Sequence, residues 1–204
     1  AVFLAMGAHE AQKLGIPGEE AAGVHHGVPF LQAVSLAERH GVMEGFEDRF
    51  LIAFGIPIAP KVGEKTIVMG GGNVAIDAAR TALRLGAKKV SILYRRSRDE
   101  MPANSWEIEA AEKEGIKLQL LTAPVEVVVE DGHVRGVKCL KMELGEPDAS
   151  GRRRPIPIKD SEFIIPADTM IAAVAQAPEI SFLDESHGLE VTPKGTFAID
   201  SLTL

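Results

Sequence analysis

The feature that most constrains this chain is a glycine run at a strand–helix junction. Gly70-Gly71-Gly72-Asn73-Val74-Ala75 has the spacing G-x-G-x-x-A. Before it, Thr66-Ile67-Val68-Met69 is a short apolar run, which predicts a buried strand. After it, Val74, Ile76, Ala78, Ala82 and Leu85 recur without a breaker until Gly86, which predicts a helix from Asn73 to Leu85. In such a junction Gly70 permits the tight turn, Gly72 lets the backbone approach a pyrophosphate, and Ala75 lets helix and strand pack closely. The free N–H groups at the helix start then face the anion, with the helix dipole behind them. The pattern points to a dinucleotide. A non-binding turn of the same shape is the alternative.

The flanking pattern extends this unit. Val90–Tyr94 reads as a second strand, Asn104–Glu114 as a second helix, and Ile116–Leu121 as a third strand. Asn104, with Glu107 three residues on, suits a capping arrangement, as Asn73 suits the start of the first helix. Strand–helix–strand–helix–strand with right-handed crossovers gives a parallel sheet covered by helices. The rhythm then changes to strands alone. Val125–Val129 and Val134–Leu144 flank Asp131-Gly132, a hairpin signal. Residues 145–154 read as a long polar loop, 156–165 as an irregular strand and 169–174 as a buried strand. Ahead of the glycine run lie a short strand at Val2–Met6, a helix from Pro29 to about Arg39, and a second helix at 42–54 ended by Pro57 and Pro60. The expected fold is α/β, a Rossmann-like βαβαβ parallel sheet with an antiparallel β-meander. Residues 1–60 are expected to be edge and connector, 61–176 the nucleotide-binding domain, and 177–204 a return segment.

Charge narrows the ligand. Lysine and arginine number 22 against 29 aspartates and glutamates in 204 residues, a net charge of −7. That balance argues against nucleic acid as a partner. Yet Arg95, Arg96 and Arg98 stand where an NAD site usually carries an acid for the ribose 2′-hydroxyl. Arginine forks match a phosphate, so the expectation is NADP(H); a solvated basic turn is the alternative. The same arginines argue against an S-adenosylmethionine methyltransferase. Arg152-Arg153-Arg154 form a second basic run, read as a solvated loop or as a partner or phosphate contact.

The single cysteine, Cys139, excludes an internal disulfide, a CxxC pair and a four-cysteine iron–sulfur site. It points to a reducing compartment, the cytoplasm. No apolar run reaches the ~20 residues of a membrane span. The six histidines show no metal-ligand spacing, so neither a metal site nor a catalytic residue is assigned.

Gly70–Ala82, Tyr94–Ala103, Met142–Pro157 and Leu14–Glu19 together resemble the glutamate synthase small (β) subunit family of NADPH-dependent flavoproteins. The resemblance implies an NADPH domain inserted between segments of an FAD domain, with the flavin held mainly by segments beyond this chain. It implies hydride transfer from NADPH to FAD, and an iron–sulfur or large-subunit electron acceptor. By the same resemblance Asp77 lies near the nicotinamide; a helix-start acid favoured by the dipole is the other reading. Ala175 and Gln176 match the return crossover, where Ala175 replaces the family's usual glycine. The apolar ends of the chain suggest a piece of a larger flavoenzyme. A non-catalytic NADP(H)-sensing module is the competing class.

Overall fold

The computed structural model describes residues 10–39, 60–148, 151–174, 176–178, 180–181, 188–192 and 196–198. The strand expected at Val2–Met6, the helix at 42–54 and Ala175 lie outside them. The chain divides into two compact units. One is Lys13–Val174, and the other is built from the segments on either side of it.

The described chain opens with β1 (Glu10–Ala11), then β2 (Val24–His26) and α1 (Gly27–Arg39). Past residue 60 come β3 (Lys65–Met69), α2 (Asn73–Arg84), β4 (Lys89–Leu93), α3 (Ser105–Lys113) and β5 (Lys117–Gln119). Four antiparallel strands follow: β6 (Thr122–Glu130), β7 (His133–Pro147), β8 (Arg153–Pro157) and β9 (Phe163–Pro166). The chain then returns through β10 (Thr169–Ala172) and leaves by β11 (Gln176–Ala177). In the smaller unit β1 and β11 pair antiparallel, Gln176 opposite Ala11.

The larger unit is a three-layer stack around a parallel sheet of order β2-β10-β3-β4-β5. Alternation along each strand sends neighbouring side chains to opposite faces. Val68, Ile92 and Ile171 pack with Phe30, Ile76 and Ile108 of the helices. Ile67, Leu93 and Met170 pack with Val127, Val134 and Cys139 of the antiparallel sheet. Both faces of β3 are therefore dry over Ile67-Val68-Met69, which is why that run is apolar rather than alternating. Among the described residues the helices cover one face of the sheet. The meander covers the other.

Three further details differ from the sequence reading. Both ends of the loop expected at 145–154 are strand: β7 runs on to Pro147 and β8 starts at Arg153, with Met142 opposite Pro157. The irregular strand at 156–165 is two strands, β8 and β9, both paired to β7. Between them Asp160 adopts φ 54°, a left-handed conformation that a short polar side chain tolerates, and the turn breaks the strand there. Finally, β2 joins the parallel sheet beside β10, Val24 opposite Met170. Three residues are too few to carry a period. The hairpin at Asp131-Gly132 forms as read, with φ 51° and 77°, the two positive values a type I′ turn needs.

Candidate dinucleotide site

The sheet topology creates one crevice. From β3 the chain steps by α2 to β4 on one side, while β10 lies on the other side of β3. At such a switch point the carboxyl ends of the two central strands open a cleft, and the glycine run lies in it. Gly70 follows β3 directly, and the Ala173 N–H donates to the Met69 carbonyl at 2.8 Å.

The three glycines do different things. Gly70 has φ 145°, and a Cβ there would lie 2.2 Å from the Ala173 carbonyl oxygen. Only glycine fits that approach. A Cβ on Gly71 would lie 2.4 Å from the Tyr94 ring. Gly72 is different. A Cβ there would meet nothing nearer than Pro102 Cγ at 3.8 Å, so its face is open. This is a cradle that a side chain would fill and a phosphate could enter.

α2 begins immediately afterwards, without a side-chain cap on Gly72. The Ala75 N–H bonds the Gly72 carbonyl at 2.9 Å. The N–H groups before it are those a helix start leaves for an anion. Ala75 is fully buried, and the Cβ that Gly70 lacks would stand 3.1 Å from that of Ala75. Helix and strand are as close there as the sequence reading required. Val74 packs at the start of α1, where a Cβ on Gly27 would be 2.9 Å from Val74 Cγ1.

Neither asparagine caps its own helix. Asn73 is the first residue of α2, and its Oδ1 accepts from the Asn104 N–H at 3.2 Å. Asn104 Nδ2 donates to Glu107 at 3.2 Å, a side-chain pair rather than a capping bond to backbone. The Ala103 N–H donates to the Gly71 carbonyl at 3.0 Å. The start of α3 is thus tied across the glycine turn. Asp77 is exposed one turn into α2 and lines the groove between α1 and α2 with Leu31 and Arg80. Gln176 stands in the β1–β11 pair.

The three arginines, which the sequence grouped around one phosphate, are separated. Arg95 is exposed and makes no ion pair with the described residues. Arg96 turns inward, 5% exposed. Its Nη2 lies 2.6 Å from Asp148 Oδ2, and its Nε donates to the Arg153 carbonyl at 2.7 Å. Arg98 pairs with Glu112 of α3 at 2.8 Å. Arg153 in turn sets Nε 2.5 Å from Glu100 Oε1. Glu100 also bonds the Ser97 hydroxyl, and accepts from the Ser97 N–H at 3.1 Å. The Ser97 hydroxyl and the Arg153 guanidinium hold the Glu100 carboxyl below its ordinary range, against the opposing effect of burial. Tyr94 Oη donates to the Glu100 carbonyl at 2.6 Å. Asp148, Glu100 and Arg153 carry no local signal of this role, because their partners are remote in sequence.

No group of three or more potential metal ligands occurs among the described residues. Cys139 is buried against Val137, and burial pushes its thiol up to about 12. No described helix is long and apolar enough to cross a membrane.

The family described as pyridine nucleotide-disulphide oxidoreductase matches residues 1–203. The chain belongs to that family. These 204 residues carry one cysteine and so hold no dithiol pair. It is 42% identical over its whole length to the NADP(+)-dependent formate dehydrogenase subunit beta of Moorella thermoacetica, spanning 26% of that protein. It is 35% identical over 96% of its length to the glutamate synthase [NADPH] small chain of Escherichia coli, spanning 40% of it. The glutamate-synthase resemblance read from the motifs is thus matched by sequence identity. Among solved structures, FprA of Mycobacterium tuberculosis in complex with NADPH superposes with a TM-score of 0.63 at 20% identity. That match covers 85% of this chain and 49% of FprA, and it supports the fold. The chain spans from about a quarter to about half of the length of these proteins.

Proposed function

We propose that the larger unit is the NADPH-binding module of a flavin-dependent oxidoreductase. The observation that carries this reading is the open face of Gly72, directly after two closed glycines, at the switch point of a parallel sheet. The residues fit a dinucleotide. Gly72 and the first N–H groups of α2 would hold the pyrophosphate, and Arg95 would face the 2′-phosphate. Asp77, on the α1–α2 groove, would face the nicotinamide end. When bound, NADPH supplies a hydride to a flavin, and that chemistry belongs to the cofactors. What this chain does is bind and orient. Ala175 and Gln176 are proposed as return-crossover contacts, FAD as a cofactor held mainly by other segments, and an iron–sulfur or large subunit as the electron acceptor. A cytoplasmic location follows the same reading.

The test is Arg95→Ala in the intact protein, with dissociation constants measured for NADPH and NADH. A hydrogen bond to a charged group contributes about 1.5–3 kcal/mol. NADPH binding should weaken by about 10- to 150-fold, with NADH changed less than about twofold, since it has no 2′-phosphate for the arginine to meet. Equal losses for both nucleotides would remove the NADP assignment. A non-catalytic NADP(H) sensor would bind with the same selectivity but leave bound flavin oxidised when NADPH is added.

A further inference from the structure

We infer that the tip of the β7–β8 hairpin is a positioning element for the 2′-phosphate subsite, acting through Asp148 and Arg153. The inference rests on the NADPH reading above and deepens it. The loop after β4 is pinned at residue after residue. The Tyr94 ring lies against Gly71 and its hydroxyl holds the Glu100 carbonyl. Arg96 is drawn in by Asp148 and by the Arg153 carbonyl. Ser97 and Glu100 close the loop on themselves. Arg95 lies between two inward-turned neighbours, and of the three arginines it is the one that is exposed and unpaired with the described residues.

The two ion pairs run in opposite senses. An arginine of the loop reaches an aspartate of the hairpin, and an arginine of the hairpin reaches a glutamate of the loop. A reciprocal pair of this kind favours one alignment of loop and hairpin, because exchanging the partners would set Arg96 against Arg153 and Glu100 against Asp148. Asp148 is tied to the other arm of the hairpin: its N–H donates to the Arg152 carbonyl at 2.8 Å, and the Gly151 N–H donates to the Asp148 carbonyl at 2.9 Å. Asp148 and Arg153 therefore present to the loop as one unit. The consequence is preorganisation. The outward pose of Arg95 is set on folding, and the ordering cost is not met again when the phosphate arrives. Asp148 and Arg153 touch no ligand in this scheme and act only through Arg95.

The experiment uses Asp148→Ala, Arg153→Ala and Arg95→Ala in the intact protein, singly and as Arg95→Ala combined with each of the others. Dissociation constants for NADPH and NADH are measured by titration calorimetry, and a denaturation midpoint confirms that each variant is folded. Arg153→Ala is the safeguard should Asp148→Ala fail to fold, since it leaves Arg96 its aspartate. The expected result is an NADPH affinity about five- to twentyfold weaker for either hairpin variant, with NADH changed less than about twofold. In the Arg95→Ala background neither hairpin substitution should add more than about twofold, and Arg153→Lys should recover part of the loss. Hairpin variants that weaken both nucleotides equally, or neither, would overturn the inference while a selective Arg95→Ala left the NADPH reading standing. A hairpin effect that persists without Arg95 would also overturn it. Equal losses in Arg95→Ala alone would instead remove the NADPH reading itself.

Discussion

Replacing Gly72 with alanine should separate ligand binding from folding. At Gly72 the new methyl would meet nothing nearer than 3.8 Å, and φ is −96°, which alanine adopts freely. The remaining cost is that alanine is a poorer residue than glycine just before a helix, about 0.5–1 kcal/mol. For a chain of this size that is a fall in Tm of about 1–4 °C. The methyl would, however, occupy the open face where a phosphate oxygen must come close to backbone. Losing one charge-assisted hydrogen bond there costs about 1.5–3 kcal/mol, or about a 10- to 150-fold weaker Kd. NADPH and NADH should suffer alike, because they share the pyrophosphate. Gly70→Ala is the contrasting control. Its φ of 145° is strained for alanine and its Cβ would lie 2.2 Å from the Ala173 carbonyl oxygen. Backbone strain of about 1–3 kcal/mol and overpacking of about 1–3 kcal/mol together lower stability by about 2–6 kcal/mol. Urea unfolding and nucleotide titration measure the two effects separately. If Gly72→Ala binds both nucleotides as well as the unsubstituted chain, the open face is not the phosphate approach. If it unfolds as readily as Gly70→Ala, the spatial reasoning itself fails.

Three further outcomes follow from the same geometry. Tyr94→Phe removes a buried hydroxyl bonded to the Glu100 carbonyl at 2.6 Å; it should cost about 1–2 kcal/mol in urea unfolding, and a change within error would show that bond to be dispensable. Cys139, buried with its thiol near 12, should react with a thiol reagent at about pH 8 roughly a thousandfold more slowly in the native chain than in denaturant; prompt native labelling would contradict its burial. Burial also holds His25 below its ordinary value, against the backbone bond to Lys61, and its Nε2 is buried without a partner. The unfolded chain takes up that proton near pH 6.5 while the folded chain resists it. Stability from this residue is therefore complete above about pH 6.5 and declines as the pH falls below it. His25→Phe should flatten the stability profile between about pH 7.5 and 5.5, and an unchanged slope would refute the assignment.

The parts of this protein legible in its sequence are those decided by neighbours along the chain. A glycine run after a four-residue apolar strand needs only local sterics to be recognised. So does Asp131-Gly132, because two consecutive positive φ values suit those residues. Helical spacing in Asn73–Leu85 is likewise a matter of which residues lie within two turns. Gly70 answers to such a constraint, with its φ of 145°, whereas Gly71 answers to the ring of Tyr94, which lies beyond the whole of α2 in sequence. Length limited the reading at β2, where three residues carry no period, and at the turn around Asp160, where one left-handed residue divides a strand in two.

What only the tertiary structure decided was the face each arginine presents. Arg95, Arg96 and Arg98 are alike in sequence, and nothing local ranks them. Arg96 is buried because Asp148, 52 residues on, meets it there. Arg153, read as part of a solvated loop, is a brace because Glu100, 53 residues earlier, is its partner. The meander rather than a helix covers the second face of the sheet because the strands after β5 fold back over Ile67, Leu93 and Met170. Local periodicity can say that a strand is dry on both sides, but not what keeps it dry. Charge and apolar surface find partners in space, and that pairing depends on the whole chain closing up.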